Sequence, residues 1–155
     1  MRRLFASLLL VAACAVLAAG CGGGSSRNKA YSGSKAAYAA ALDSLCASAK
    51  EKARDLDMTT TAAIAKHGGQ AGDILDTLAQ QVDKLEPPAA QKQSAQSFTD
   101  GLHTEADHLG DLRDAAKAND TAKVQKIQGQ LASEAAATSE TARFLGATGC
   151  ARLFT

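Results

Sequence analysis

The chain has 155 residues, with 17 basic and 16 acidic side chains, so its net charge is close to zero. Aromatic residues make up 4% of the sequence and tryptophan is absent, so there is no basic stripe interleaved with aromatic side chains and nucleic acid is not an expected partner. Alanine is abundant, which predicts a thin core between closely spaced helices.

The N-terminus has the three zones of a secretory signal. Arg2 and Arg3 precede an uncharged apolar run over residues 4–17, which is too short for a comfortable transmembrane helix. Small residues then lead directly into Cys21. This layout resembles the signal of bacterial lipoproteins. The resemblance implies a diacylglyceryl group on the Cys21 sulfur and cleavage that removes residues 1–20 as a signal peptide.

Two alternatives exist for this segment. Cys14 also follows a fitting pattern, but its use would leave the apolar residues 15–19 on the mature protein, so Cys21 is preferred. The other alternative is a plain secretory signal with an incidental cysteine. Because two acyl chains anchor a protein stably, acylation of Cys21 implies attachment to the cell membrane on its extracytoplasmic face.

The chain after the signal divides into a tether and a domain. Residues 21–33 are rich in glycine and serine, which cannot bury apolar area, and are predicted to form a flexible lipid-anchored tether. Residues 34–155 are predicted to form one helical domain of ordinary size. Loss of the signal removes two arginines and leaves a formal charge of about −1.

Two cysteines remain once Cys14 leaves with the signal and Cys21 is acylated. In an oxidising compartment, Cys46 and Cys150 are predicted to form a disulfide that closes a loop of about 100 residues. Two free buried thiols are the alternative. No Cys-x-x-Cys pair occurs, so the sequence gives no support for thioredoxin-like redox chemistry or haem attachment.

Apolar residues recur at steps of three and four in four segments, and no strand-like alternation lies between them. The predicted helices cover residues 34–56, 60–86, 88–118 and 121–145. Proline, asparagine and aspartate supply short joints between them. The predicted fold class is therefore all-α, with the helices in an antiparallel up-down four-helix bundle.

Two features of the sequence are difficult to reconcile with this predicted fold. Gly68, Gly69 and Gly72 weaken the second helix, and they either permit close approach of a neighbouring helix or break the helix near His67. A continuous helix is preferred. In addition, Cys46 lies midway along the first helix, so the chain after Gly146 has to fold back along the bundle to form the disulfide.

Four short motifs are spread over the predicted domain. They are Tyr38 with Leu45-Cys46-Ala47, then Leu85-Glu86-Pro87-Pro88, then Ala116-Lys117-Ala118-Asn119-Asp120, and finally Leu145-Gly146 with Cys150. This pattern resembles a group of small actinobacterial envelope proteins, which are alanine-rich helical lipoproteins with one cysteine in the first helix and another near the C-terminus. The resemblance implies a fold and a location, and it implies no mechanism.

The third helix carries the candidate metal ligands. His103 and Asp107 lie four residues apart on one helical face, with Glu105 and His108 close by, a spacing that can offer two ligands to zinc or copper. A metal site needs three or four ligands, and nothing in the sequence fixes a third. A polar outer face is therefore predicted, with no metal bound.

The sequence shows no pattern of catalytic residues or phosphate-binding glycines, so neither an enzyme nor a cofactor is predicted. The first functional hypothesis is a non-catalytic cell-envelope lipoprotein that binds another envelope protein or a wall component through its surface. The alternative is a carrier of a small apolar ligand or a metal within or on the bundle. An exposed apolar patch would favour the first hypothesis, and an apolar pocket would favour the second.

Overall fold

A computed structural model describes residues 33–153. Within this range five helices pack together and no strand occurs, which confirms the all-α class. The predicted signal peptide, Cys21 and almost the whole predicted tether lie outside the described residues. No helix of the described range is both long enough and apolar enough to cross a membrane.

The helices follow one another through short connections. Their bounds are α1 (Lys35–Ala53), α2 (Thr61–Val82), α3 (Lys92–Lys117), α4 (Thr121–Leu145) and α5 (Thr148–Ala151), with a 3-10 turn at Ala89–Gln91 before α3. Helix α2 packs against α1 and α3, and α3 packs against α4. The short α5 contacts both α1 and α4, so it links the first helix of the domain to the last long one.

Three of the predicted helices are shorter than expected. Helix α1 ends at Ala53 rather than residue 56, and the Asp57 carboxylate accepts a hydrogen bond from the Thr59 backbone N–H in the turn that follows. Helix α2 ends at Val82 rather than residue 86, because Pro87 and the proline after it lack the N–H groups that another helical turn would require. These prolines also delay the start of α3 to Lys92, after a 3-10 turn.

The connection between α3 and α4 contains the left-handed asparagine and the capping aspartate that the sequence predicted. Asn119 adopts a left-handed conformation with a φ of 56°. The Asp120 carboxylate accepts a hydrogen bond of 3.0 Å from the Lys123 backbone N–H and caps α4. At the other end of α4, Gly146 has a φ of 87° and stops the helix where the sequence predicted.

The glycine-rich segment of α2 is a continuous helix, as preferred from the sequence. A Cβ atom built on Gly68 would lie 3.0 Å from the Arg113 Cβ, and one built on Gly72 would lie 3.0 Å from the Ala106 carbonyl oxygen. Both distances are tighter than ordinary van der Waals contact. The glycines therefore allow the backbones of α2 and α3 to approach each other closely.

The chain does fold back after Gly146, and the structure contains the predicted disulfide. Cys46 on α1 and Cys150 on α5 are bonded, with their Cα atoms 5.1 Å apart. The Asp43 carboxylate on α1 also accepts hydrogen bonds from the backbone N–H groups of Gly149 (2.8 Å) and Cys150 (3.0 Å). Helix α5, which the sequence did not predict, is thus attached to α1 by a covalent bond and a capping carboxylate.

The buried apolar side chains form two separate clusters. The first surrounds Tyr38, Phe98 and the disulfide, and includes buried residues of α1, α2, α3, α4 and α5. The second contains Ile64 and Ile127 with other residues of α2, α3 and α4. Between the two clusters lies the part of the bundle where the candidate site is found.

Candidate functional site

A cavity of about 350 Å³ lies between the two core clusters. Side chains of all four long helices and of the chain after α5 line it: Ala49, Ala53, Ala71, Ile74, Leu75, Glu105, Leu109, Leu131, Ala135 and Leu153. Glu105 is the single polar residue in this set. We call this space the Glu105 cavity.

Alanines explain why the bundle leaves this space. Four of the lining residues are alanines, from α1, α2 and α4, and a methyl side chain fills little of the space between the helices. The larger residues at the same level, such as Leu75 and Leu131, are only half-buried. The apolar stripes of α2, α3 and α4 are therefore buried on both sides of the cavity and partly exposed beside it.

Glu105 is buried, with 3% of its surface exposed, and its Oε1 atom has no hydrogen-bond partner. Burial raises the pKa of this carboxyl from 4.5 to about 7, because removal from water disfavours the charged form. A hydrogen bond from the Thr138 side chain to this carboxyl opposes the rise in pKa, whereas the negative charge of Glu134 adds to it. The cavity is thus lined by one buried carboxyl that has a pKa of about 7 and an Oε1 atom without a hydrogen-bond partner.

The prediction that Glu105 lies on a polar outer face was wrong. Glu105 comes three residues after Leu102 and four before Leu109, so it is in register with the apolar stripe of α3 and points inward with it. This register is the signal in the sequence that would have identified it. The charge of Glu105 suggested a position on the surface, whereas its register with the apolar stripe indicates a buried position.

The other candidate ligands of α3 are not brought together. The His103 Nδ1 atom lies 3.0 Å from the Asp76 Oδ1 atom on α2, and both side chains are partly exposed. Asp107 is exposed, and His108 has a buried Nδ1 atom without a partner. Among residues 33–153, no group of three or more histidine, cysteine, aspartate or glutamate side chains is arranged to bind a metal ion.

A second cavity, of about 380 Å³, lies beside the connection from α2 to α3. The buried Tyr38 hydroxyl lines it without a hydrogen-bond partner, and burial raises the pKa of this phenol. Charged residues of both signs surround the entrance, including Asp83, Lys84 and Lys92. This mixture of charges selects no one class of ligand, in contrast to the uniform apolar lining around Glu105.

One large apolar side chain is exposed on the described surface. Phe144 is its only exposed large apolar side chain, with 62% of its surface accessible, and the Lys35 ammonium lies 5.4 Å from the centre of its ring. Single exposed apolar residues are normal on soluble domains. The apolar cavity around Glu105 is a feature of the described residues that bears on the functional hypotheses.

Comparisons of the chain with protein-family models, with curated proteins and with solved structures found no match. An inference about function therefore rests on the sequence and on the geometry of the described residues.

Proposed function

We propose that this protein is a non-catalytic, lipid-anchored binding module of the cell envelope, and that its bundle carries a small, mainly apolar ligand in the Glu105 cavity. The observation that carries the proposal is an apolar cavity lined by one buried carboxyl, whose Oε1 atom lacks a hydrogen-bond partner. We also propose an antiparallel up-down order for the four long helices, which is supported by the packing of each one against the next in sequence.

Both features of the cavity cost stability when no ligand is bound. The lining side chains are apolar and several are partly exposed, so the stabilisation that their full burial would give is absent without a ligand. A buried polar atom without a hydrogen bond costs a further 1–3 kcal/mol, roughly. A ligand that fills the space and pairs with Glu105 would recover both losses. Since the lining leucines are half-buried, the cavity is also accessible from solvent.

The anchor belongs to the same proposal and is supported by the sequence around Cys21. A lipid-linked carrier would keep its ligand close to the membrane, where apolar molecules accumulate. In this location the Cys46–Cys150 disulfide would persist, because extracytoplasmic compartments are oxidising.

The anchor is tested by the intact mass of the protein extracted from its native membrane. We expect the mass of residues 21–155 plus a diacylglyceryl group, and an increase by two hydrogen atoms when the disulfide is reduced. A native spectrum of the same sample would reveal a bound ligand as additional mass. A lipid-free chain would contradict the anchor.

The cavity is tested by filling it. We expect decanol to raise the melting temperature of the wild-type protein, as a ligand of the folded state does. Ala135→Leu should abolish this shift, because the larger side chain occupies the space. The same substitution should itself raise the free energy of unfolding by up to about 2 kcal/mol, as cavity-filling changes commonly do.

Ala136→Leu is the matched control for this experiment. It adds the same volume on the next residue of α4, which is exposed and does not line the cavity. The Ala136→Leu protein should therefore respond to decanol as the wild type does. If Ala135→Leu retained the full response, the ligand would bind elsewhere and the proposed function of the cavity would be wrong.

A further inference from the structure

We propose that the Glu105 cavity selects a cationic amphiphile, a ligand with an alkyl chain and a single ammonium headgroup, over ligands with the same chain and a carboxylate or hydroxyl headgroup. This inference rests on the proposed function, since it specifies the ligand of that cavity. It follows from the polarity, the charge and the size of the site.

The polarity of the lining limits the ligand to one polar group. Glu105 is the only polar side chain among the lining residues, and its Oε1 atom is free to accept a hydrogen bond. Any second polar group on a ligand would be buried against alanine, leucine or isoleucine, at a cost in free energy. The remainder of the ligand therefore has to be apolar.

The charged residues at the cavity determine the charge that the polar group of the ligand should carry. None of the lining residues is basic. The lining residues of α1 and α2 cannot titrate, and the charged group of α4 that acts on Glu105 is Glu134, another acid. A ligand carboxylate would be repelled by both glutamates, whereas an ammonium group would donate a charge-assisted hydrogen bond to the Glu105 carboxylate.

The size of the cavity sets the length of the chain. An apolar cavity of about 150 Å³ accommodates benzene. The Glu105 cavity, at about 350 Å³, is more than twice as large. It would accommodate an alkyl chain of roughly ten carbons, which is the length chosen for the test.

Pairing with an ammonium group requires the charged form of Glu105. An alkylammonium group, like lysine, stays protonated up to a pH of about 10. Because the pKa of Glu105 in the ligand-free protein is about 7, binding of the amine below this pH releases the carboxyl proton. The affinity for the amine should therefore fall by about tenfold for each pH unit below 7, while the affinity for the neutral alcohol should not change with pH.

The test compares decylamine, decanol and decanoic acid, which share a chain and differ in the headgroup. Their dissociation constants are measured by calorimetry on the full chain at pH 8. We expect decylamine to bind about ten- to a hundredfold more tightly than decanol, and decanoic acid to bind more weakly than both. Glu105→Gln should remove the preference for the amine and leave decanol binding intact.

Asp107→Asn is the matched control, since it removes an exposed carboxylate from the same helix and should leave the preference unchanged. Equal or tighter binding of decanol than of decylamine by the wild type would overturn this inference and leave the proposed function standing. Retention of the amine preference by Glu105→Gln would likewise overturn it, by assigning the effect to surface charge. If none of the three ligands bound, both this inference and the proposed function would be wrong.

Discussion

Loss of the disulfide is expected to produce the largest fall in stability of any change considered for this protein. Replacing both Cys46 and Cys150 by alanine should lower the free energy of unfolding by about 4 kcal/mol, within a range of roughly 2–5. The bond joins residues separated by 104 positions, so it restricts the unfolded chain over most of the domain. Both cysteines are also buried, at 2% and 0% exposure, so their removal disturbs packing as well.

The measurement is urea unfolding of the wild type and of both single and double alanine variants. Either single substitution should cost nearly as much as the double one, because the bond requires both sulfurs. Wild-type protein unfolded under reducing conditions serves as the control and should resemble the variants. A double variant within about 0.5 kcal/mol of the oxidised wild type would show that the disulfide contributes little.

The disulfide also determines one wall of the Glu105 cavity. Leu153 lines the cavity and follows Cys150 by three residues, while Ala49 lines it and follows Cys46 by three residues. Release of α5 from α1 would allow Leu153 to leave its position. The alanine double variant should therefore also lose part of its response to decanol, even under conditions where it remains folded.

The pH dependence of stability should reveal the buried Glu105. Its pKa is about 7 in the folded protein and near the ordinary 4.5 in the unfolded chain. Between these values the folded protein binds a proton that the unfolded chain has lost. The contribution of Glu105 to stability is therefore fully present below pH 4.5 and is lost as the pH rises through 7. The loss amounts to at most about 3 kcal/mol.

Glu105→Gln isolates this effect, because the amide has a similar shape and does not titrate. The difference in free energy of unfolding between wild type and variant should change steadily from pH 4.5 to 7 and become constant above pH 7.5, approximately. Asp107→Asn is again the control, since its exposed side chain lies on the same helix. A difference between wild type and Glu105→Gln that stays constant over the whole range would contradict a buried carboxyl with a raised pKa at this position.

Several elements of the domain could be predicted from the sequence because local physics determines them. Helix α4 was predicted with its correct bounds, since Asp120 caps its first turn and Gly146 provides the left-handed conformation that ends it. The disulfide could be predicted because two cysteines remain after the predicted signal and lipidation, and the signal-like N-terminus predicts an oxidising compartment. The helix ends depend only on neighbouring residues, and the disulfide prediction depends on the number of cysteines.

Other features depend on how the helices pack, and the sequence did not determine them for us. Helix α5 is too short to show an apolar period, and it is stabilised by Asp43 and Cys46, which lie more than a hundred residues away in the chain. The ends of α1 and α2 were also misplaced, because the apolar stripe continues past the point where turns and prolines end the helix.

The Glu105 cavity is the feature that only the tertiary structure decided. The sequence places Glu105 in register with the apolar stripe of α3, and it places alanines on the facing helices, but periodicity alone cannot tell whether those alanines meet or leave a gap. That outcome depends on the distances between helices, which are set by glycines at the α2–α3 contact and by the disulfide between α1 and α5. The apolar stripes in the sequence determined that the helices would bury a core. The packing between helices determined that this core would form two clusters, with the Glu105 cavity between them.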